Sequence, residues 1–193
     1  MWLRPARAAC SLAIPGGRGH HSAAPGRENV VQWREMREED LTGVLDLADR
    51  VHPELPERFE VIAEKRRLYP QGCLVLEDAP GGALAGYAIS HPIRENIPPA
   101  LDSFLGAIPE EAGQYYIHDV VLDPELRGGG YARQAIERLL AQAEGFPSAG
   151  LVSVYGTSGF WSRFGFAPAP GVAGQKLAAY GEDAVWMRRD RTL

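Results

Sequence analysis

Cysteine is scarce: the 193-residue chain holds two, Cys10 and Cys73. Two thiols cannot build a disulfide framework or a zinc centre made mainly of thiolates. Long apolar runs are missing too, and no stretch approaches the roughly 18 residues that a membrane-crossing helix needs. Nor is there an excess of positive charge; the formal net charge is −5. That balance argues against a protein that grips nucleic acid through its phosphates. The composition is the one expected of a soluble globular protein. At this length it can bury a core without staples, as one domain with at most a small appendage.

Acidic residues are absent from one segment. Residues 1–27 carry Arg4, Arg7, Arg18 and Arg27 but no Asp or Glu, with Pro and Gly scattered between them. The rest of the chain holds 16 basic against 25 acidic residues, a balance of −9. Such a leader is expected to be disordered and outside the fold. Two readings stand for it. One is a cleaved mitochondrial presequence, Arg-rich and acid-free, which would place the protein in the matrix. The other is a disordered tail, or a stretch ahead of the true start near Met36, on a cytoplasmic protein. His20-His21 has no third ligand nearby and reads as leader composition, not a metal site. The expected division is therefore a leader over 1–29 and one domain over 30–193.

Within that domain the hydrophobic period changes along the chain. Val30–Met36 alternates as a strand. Asp40 reads as the N-cap of a helix carrying Leu41, Val44, Leu45 and Ala48. Pro53 and Pro56 break it, and Glu57–Tyr69 reads as a second helix. Cys73–Leu76 and Ala83–Ser90 form a hairpin signature around Asp78–Gly82, with Cys73 as a small buried hydrophobe. Pro92–Gly113 reads as a loop-like insert with a short helix near Ala100–Leu105. Tyr115–Leu122 is a strand, and Gly129–Glu144 carries a core-facing helical stripe from Ala132 to Ala143. Leu151–Tyr155 is a strand, Ser158–Phe164 a short amphipathic turn, and Ala184–Arg188 a last strand. The order gives a mixed α/β (α+β) sheet with helices on its faces.

The chemistry concentrates at Leu122-Asp-Pro-Glu-Leu-Arg127-Gly128-Gly129-Gly130-Tyr131-Ala132. A strand ends, a Pro-containing turn follows, and three glycines lead into a helix. Glycine lets backbone N–H groups approach a ligand with no Cβ in the way. The first-turn amides of a helix have no intrahelical partner and carry the positive end of its dipole. That suits a phosphate or pyrophosphate, and Arg127 adds charge. A Walker loop would need Lys-Ser/Thr after Gly130, where Tyr131-Ala132 stands. A dinucleotide fingerprint would need a small residue at Arg133. Both fail. Gly156-Thr-Ser158-Gly159 resembles a nucleophile elbow, but Phe160 stands where the second Gly of that motif belongs, which disfavours a serine hydrolase.

Arg127-x-x-Gly130-x-Ala132 matches the R/Q-x-x-G-x-G/A signature of the GNAT N-acetyltransferase family. About thirty residues on, Phe160-Trp161-Ser-Arg-Phe-Gly165-Phe166 resembles that family's F-Y-x-x-x-G-F segment. Residues 30–193 can be laid on the whole fold in order. The resemblance implies a mostly antiparallel sheet with a splayed central strand pair, and acetyl-CoA or another acyl-CoA as donor. It implies pyrophosphate on the amides from Arg127 to Ala132, and pantetheine along the backbone of Val120, Val121 and Leu122. No metal is implied. The acceptor would be an amine of a small molecule or protein; a homodimer is left open.

The chain departs from the family at the acid that would protonate the leaving thiolate, because Trp161 replaces the usual Tyr and an indole N–H cannot serve as a general acid. Tyr155, at a strand end, could reach the cleft; the blander reading packs it on the sheet. His118 is the candidate base, since imidazole titrates near neutrality. Asp119 is the alternative base or an anion that orients the amine. Strand alternation places these two side chains on opposite faces. His52 and His91, beside Pro53 and Pro92, read as surface residues. Trp161 also keeps open a second class, a degenerate domain that binds acyl-CoA without turnover.

Overall fold

The computed structural model describes residues 31–79, 81–172 and 174–191. The readings placed on the leader, its targeting role and its His pair included, lie outside the described residues. The elements are β1 (Gln32–Glu35), α1 (Leu41–Val51), α2 (Phe59–Leu68), β2 (Cys73–Glu77), β3 (Leu84–Ile93) and β4 (Gln114–Leu122). Then come α3 (Tyr131–Ala143), β5 (Ser148–Ser153), α4 (Ser158–Ser162), β6 (Ala167–Pro168), α5 (Gly174–Ala178) and β7 (Val185–Asp190). The strands form one sheet in the order β1-β2-β3-β4-β5-β7-β6. Neighbours are antiparallel except β4 and β5, which run parallel with α3 as their crossover. Among the described residues no helix is long and apolar enough to cross a membrane.

The two-residue period of the strands divides the core into two layers. Leu74 and Leu76 of β2 turn to the face covered by Ala135, Ile136 and Leu139 of α3. Cys73 and Val75 turn to the other face, against Leu41, Val44 and Leu47 of α1 and Ile62 of α2. Cys73 is fully buried, and burial pushes its thiol up to about 12, so it behaves as a small hydrophobe.

The centre of the sheet does not stay closed. β4 and β5 pair only at Tyr115–Ala149 and Tyr116–Gly150. On its other side, β4 pairs with β3 through Ile117–Ser90 and then Asp119–Ile89, so His118 is the extra residue of a β-bulge. A bulge bends the strand that carries it, and the parting of β4 from β5 begins at this point.

Several expectations need correction. Asp40 does not cap α1; its carboxylate accepts from the Arg37 N–H at 2.6 Å and pairs with Arg34 at 2.6 Å. A short 3-10 turn, Glu38–Asp40, runs directly into α1 instead. The short helix near 100–105 is a turn, with Asp102 in the left-handed region at φ 51°. Arg58 holds that turn, its N–H and Nε donating to the Asp102 carboxylate at 2.9 and 2.8 Å. β5 begins three residues earlier than its apolar run, at Ser148. The small Gly150 fits there because a Cβ would come within 2.5 Å of the Trp186 ring. The strand β6 and the helix α5 carry too little periodic pattern to be read from sequence.

Candidate active site

The chain after β4 turns sharply. Asp123 accepts the N–H of Glu125 at 3.0 Å and starts a 3-10 turn over Pro124–Leu126. Gly128 and Gly130 take φ values of 86° and 82°, a region that side chains rarely adopt. Gly130 is the N-cap of α3 and has no side chain to cap it; its carbonyl accepts the Gln134 N–H at 3.2 Å. The amides of Tyr131, Ala132 and Arg133 are therefore the unpartnered first-turn donors of a 13-residue helix. Trp33 of β1 pins this helix start, its Nε1–H donating to the Tyr131 carbonyl at 2.9 Å.

These amides face a cleft of about 950 Å³. Of the nine residues expected to bind the cofactor, Val120, Val121, Leu122, Arg127, Gly128, Gly130, Tyr131 and Ala132 line it. Gly129 does not; its N–H turns inward to the Leu126 carbonyl at 3.3 Å. Arg133 and Arg163 line the same cleft, and no spacing in the sequence points to them. With Arg127 they bring three guanidinium groups to the cleft, against the one carboxylate of Glu54.

A smaller cavity, about 160 Å³, lies where β4 and β5 part. Ile117–Val120 form one wall, Leu151, Val152 and Val154 the other, with Trp161 and Phe160 between. His118 and Asp119 both open on it, so the expected split between opposite faces is overturned. The bulge is the reason: one extra residue resets the alternation of the strand.

Two imidazole–carboxylate pairs flank this cavity. His118 Nε2 meets Glu57 Oε2 at 2.7 Å, and the second Glu57 oxygen accepts from Lys65 Nζ at 3.0 Å. His52 Nε2 stands 3.4 Å from Asp119 Oδ1, while Tyr87 donates its hydroxyl to Asp119 Oδ2 at 2.6 Å. In each imidazole Nδ1 is buried and has no partner among the described residues. Burial alone would raise the Glu57 carboxyl, but His118 and Lys65 outweigh it and hold it well below the usual carboxylate range. Burial alone would lower the His52 pKa, and the Asp119 carboxylate outweighs that and raises it.

His91 is not a surface residue, and His52 is only partly exposed. His52 packs under Tyr155, with ring centroids 5.4 Å apart and planes within 7°. Tyr155 is not packed on the sheet either: it takes φ 53°, stays exposed and lines both cavities. His91 is fully buried, 6.0 Å from the His118 ring. Burial, followed by repulsion from His118, lowers its pKa from 6.5 to about 3. Between those values the unfolded chain binds a proton that the folded chain refuses, so stability rises with pH across the window and is lost on acidification. The contribution is on the order of 5 kcal/mol in all. His91→Phe is expected to flatten that slope in urea unfolding measured from pH 7 to pH 4. An unchanged slope would place the acid sensitivity elsewhere.

The sequence model of the acetyltransferase (GNAT) family matches residues 31–166. No curated protein matches the chain. Among solved structures, the loading GNATL domain of CurA from Lyngbya majuscula superposes with a TM-score of 0.67 at 17% identity, over 84% of this chain and 98% of that one. Ard1 from Thermoplasma volcanium gives 0.64 at 15% identity, over 84% and 99%. Arabidopsis thaliana Naa50, in complex with the bisubstrate analogue CoA-Ac-MVNAL, gives 0.63 at 12% identity, over 83% and 99%. At such identities the likeness establishes the fold, and the family model covers well over half of the sequence. With a glycine turn feeding α3 and a sheet that opens between β4 and β5, the chain belongs to the acetyltransferase (GNAT) family.

Proposed function

We propose that the protein is an acyl-CoA-dependent N-acyltransferase that moves acetyl from acetyl-CoA to an amine of a small molecule or protein. The observation that carries this reading is the shared wall of the two cavities. His52, Val120, Tyr155, Thr157 and Phe160 line both, so the amides of the glycine turn and the imidazoles at the parting of the sheet border adjoining spaces. The turn amides, with Arg127, Arg133 and Arg163, hold the donor's pyrophosphate. Beyond Tyr116 the β4 edge toward β5 has no ladder partner among the described residues. Its backbone near Val120–Leu122 is thus free to pair with pantetheine and to polarise the thioester carbonyl.

A lysine-like amine is neutral in roughly one molecule per thousand at pH 7, so its proton must be removed. His118 is the base. Asp119 is already engaged by Tyr87 and His52 and suits orientation of the amine better than proton removal. The thiolate leaves readily. Tyr155 stands on the shared rim of the two cavities as a group that can protonate it. Naa50 is bound to an analogue joining CoA to a peptide, which supports an amine acceptor without naming this one.

The test is thiol release from acetyl-CoA against a panel of small amines and peptides, with co-purified ligand identified by mass spectrometry. Acetyl-CoA binding with no release from any amine would favour the second reading, an acyl-CoA-binding module. Trp161 supports that reading, being buried edge-on against Phe160 and Phe166 with no titratable group. Trp161→Tyr, which restores the family residue, is expected to leave turnover unchanged or raise it in the same assay. A large fall would mean that the indole itself shapes the thioester site.

A further inference from the structure

We propose that Glu57 is a positioning residue for His118: it holds the Nε2–H and so makes Nδ1 the atom that takes the acceptor's proton. This rests on His118 as the base, as argued above. Glu57 comes from the segment between α1 and α2, 61 residues from His118, and meets Nε2 at 2.7 Å. An ionised carboxylate only accepts hydrogen bonds, so Nε2 must donate. An imidazole with one nitrogen committed as donor offers its other nitrogen as a lone pair. That nitrogen, Nδ1, is buried and has no partner among the described residues.

The surroundings leave Glu57 as the carboxylate that touches this ring. His91 lies 6.0 Å away and is held neutral by burial, with its pKa near 3. Tyr116 lies 5.9 Å away, and burial pushes its hydroxyl well above the usual range. Its neighbour Tyr180 is raised to about 12 in the same way. Asp119 is held by Tyr87 and His52. Lys65, 1% exposed, donates to the second Glu57 oxygen at 3.0 Å and so fixes the orientation of the carboxylate at the cavity wall. In the transfer step an N–H bond of the acceptor ammonium breaks and a bond to Nδ1 forms. The positive charge passes to the imidazolium, which Glu57 stabilises, and the freed lone pair attacks the thioester carbonyl. The C–S bond then breaks, and the departing thiolate takes up the second proton that the nitrogen sheds, leaving the amide and free CoA thiol.

The test pairs a spectroscopic readout with kinetics on the full chain. In ¹⁵N spectra of the imidazoles, neutral His118 should carry its proton on Nε2 and none on Nδ1. Glu57→Gln should mix the two tautomers, lower kcat about ten- to a hundredfold and move the acid-side limb of the pH–rate profile, where the base becomes protonated, to lower pH. Acetyl-CoA affinity should stay unchanged and Glu57→Asp should recover part of kcat. The double variant E57Q/K65M removes both charges and guards against misfolding from an unpaired lysine; it should show the same tautomer mixing. A proton on Nδ1 in the wild-type protein, or an unchanged tautomer and pH profile in Glu57→Gln, would overturn the proposal. The predicted tautomer lost in Glu57→Gln, with no amine ever acetylated, would sustain the positioning role and sink the transfer reading instead.

Discussion

His118→Ala is expected to lower turnover by about two to four orders of magnitude while leaving acetyl-CoA affinity within about twofold. The split follows from where the residue sits. His118 lines the small cavity at the parting of β4 and β5, and it does not line the cleft that faces the glycine turn. Deleting it removes a base, not a phosphate contact. The fold should survive, because Glu57 keeps its ion pair with Lys65 when the imidazole is gone. His118→Gln, which retains bulk and one hydrogen bond, separates packing from proton transfer and should be as slow as the Ala variant. Both should lose the acid-side limb of the pH–rate profile, where protonation of the base slows the wild type. Full turnover with an unaltered profile would make the histidine structural, and Asp119 or a water chain would become the better base.

Gly130→Val is expected to weaken acetyl-CoA binding at least about a hundredfold, against a few-fold for Arg127→Ala. Gly130 holds φ 82°, and a Cβ there would meet nothing within 4 Å. The damage therefore arises from the backbone and from the ligand's side, not from a clash within the protein. A left-handed conformation costs an ordinary L residue roughly 1–2 kcal/mol, and a β-branched one is more restricted still. The turn would relax and re-aim the amides of Tyr131, Ala132 and Arg133, which act together. Arg127 is exposed on the same turn, and Arg133 and Arg163 share its charge in the cleft. Gly130→Asn tolerates this conformation better and should bind more tightly than the Val variant. Calorimetry on the three variants, with melting curves to confirm folding, decides the matter. Equal small losses would put the pyrophosphate elsewhere.

Features that depend on near neighbours are legible in the residues alone. The strand running into Leu122, the Pro-containing turn, the glycines and the apolar stripe of α3 lie within about thirty residues, and each follows from local geometry and period. Gly128 and Gly130 at positive φ are the residues such a turn demands. Net charge and cysteine usage, which need no folding at all, exclude whole classes of protein. Pairings across longer separations belong to the folded chain. Glu57 reaches His118 across 61 residues, and Tyr87 reaches Asp119 across 32. No spacing rule links such partners, because distant elements deliver the two members of each pair. His91 and His52 stand beside prolines, as loop residues do, yet His91 is buried within β3 and His52 is half-covered by the Tyr155 ring. The decisive case is the bulge at His118. Alternation assigns His118 and Asp119 to opposite faces, and alternation holds only while each residue has one partner across the ladder. Between Ile117 and Asp119 the pairing with β3 skips one residue, and that single unpaired position brings both side chains to the same cavity.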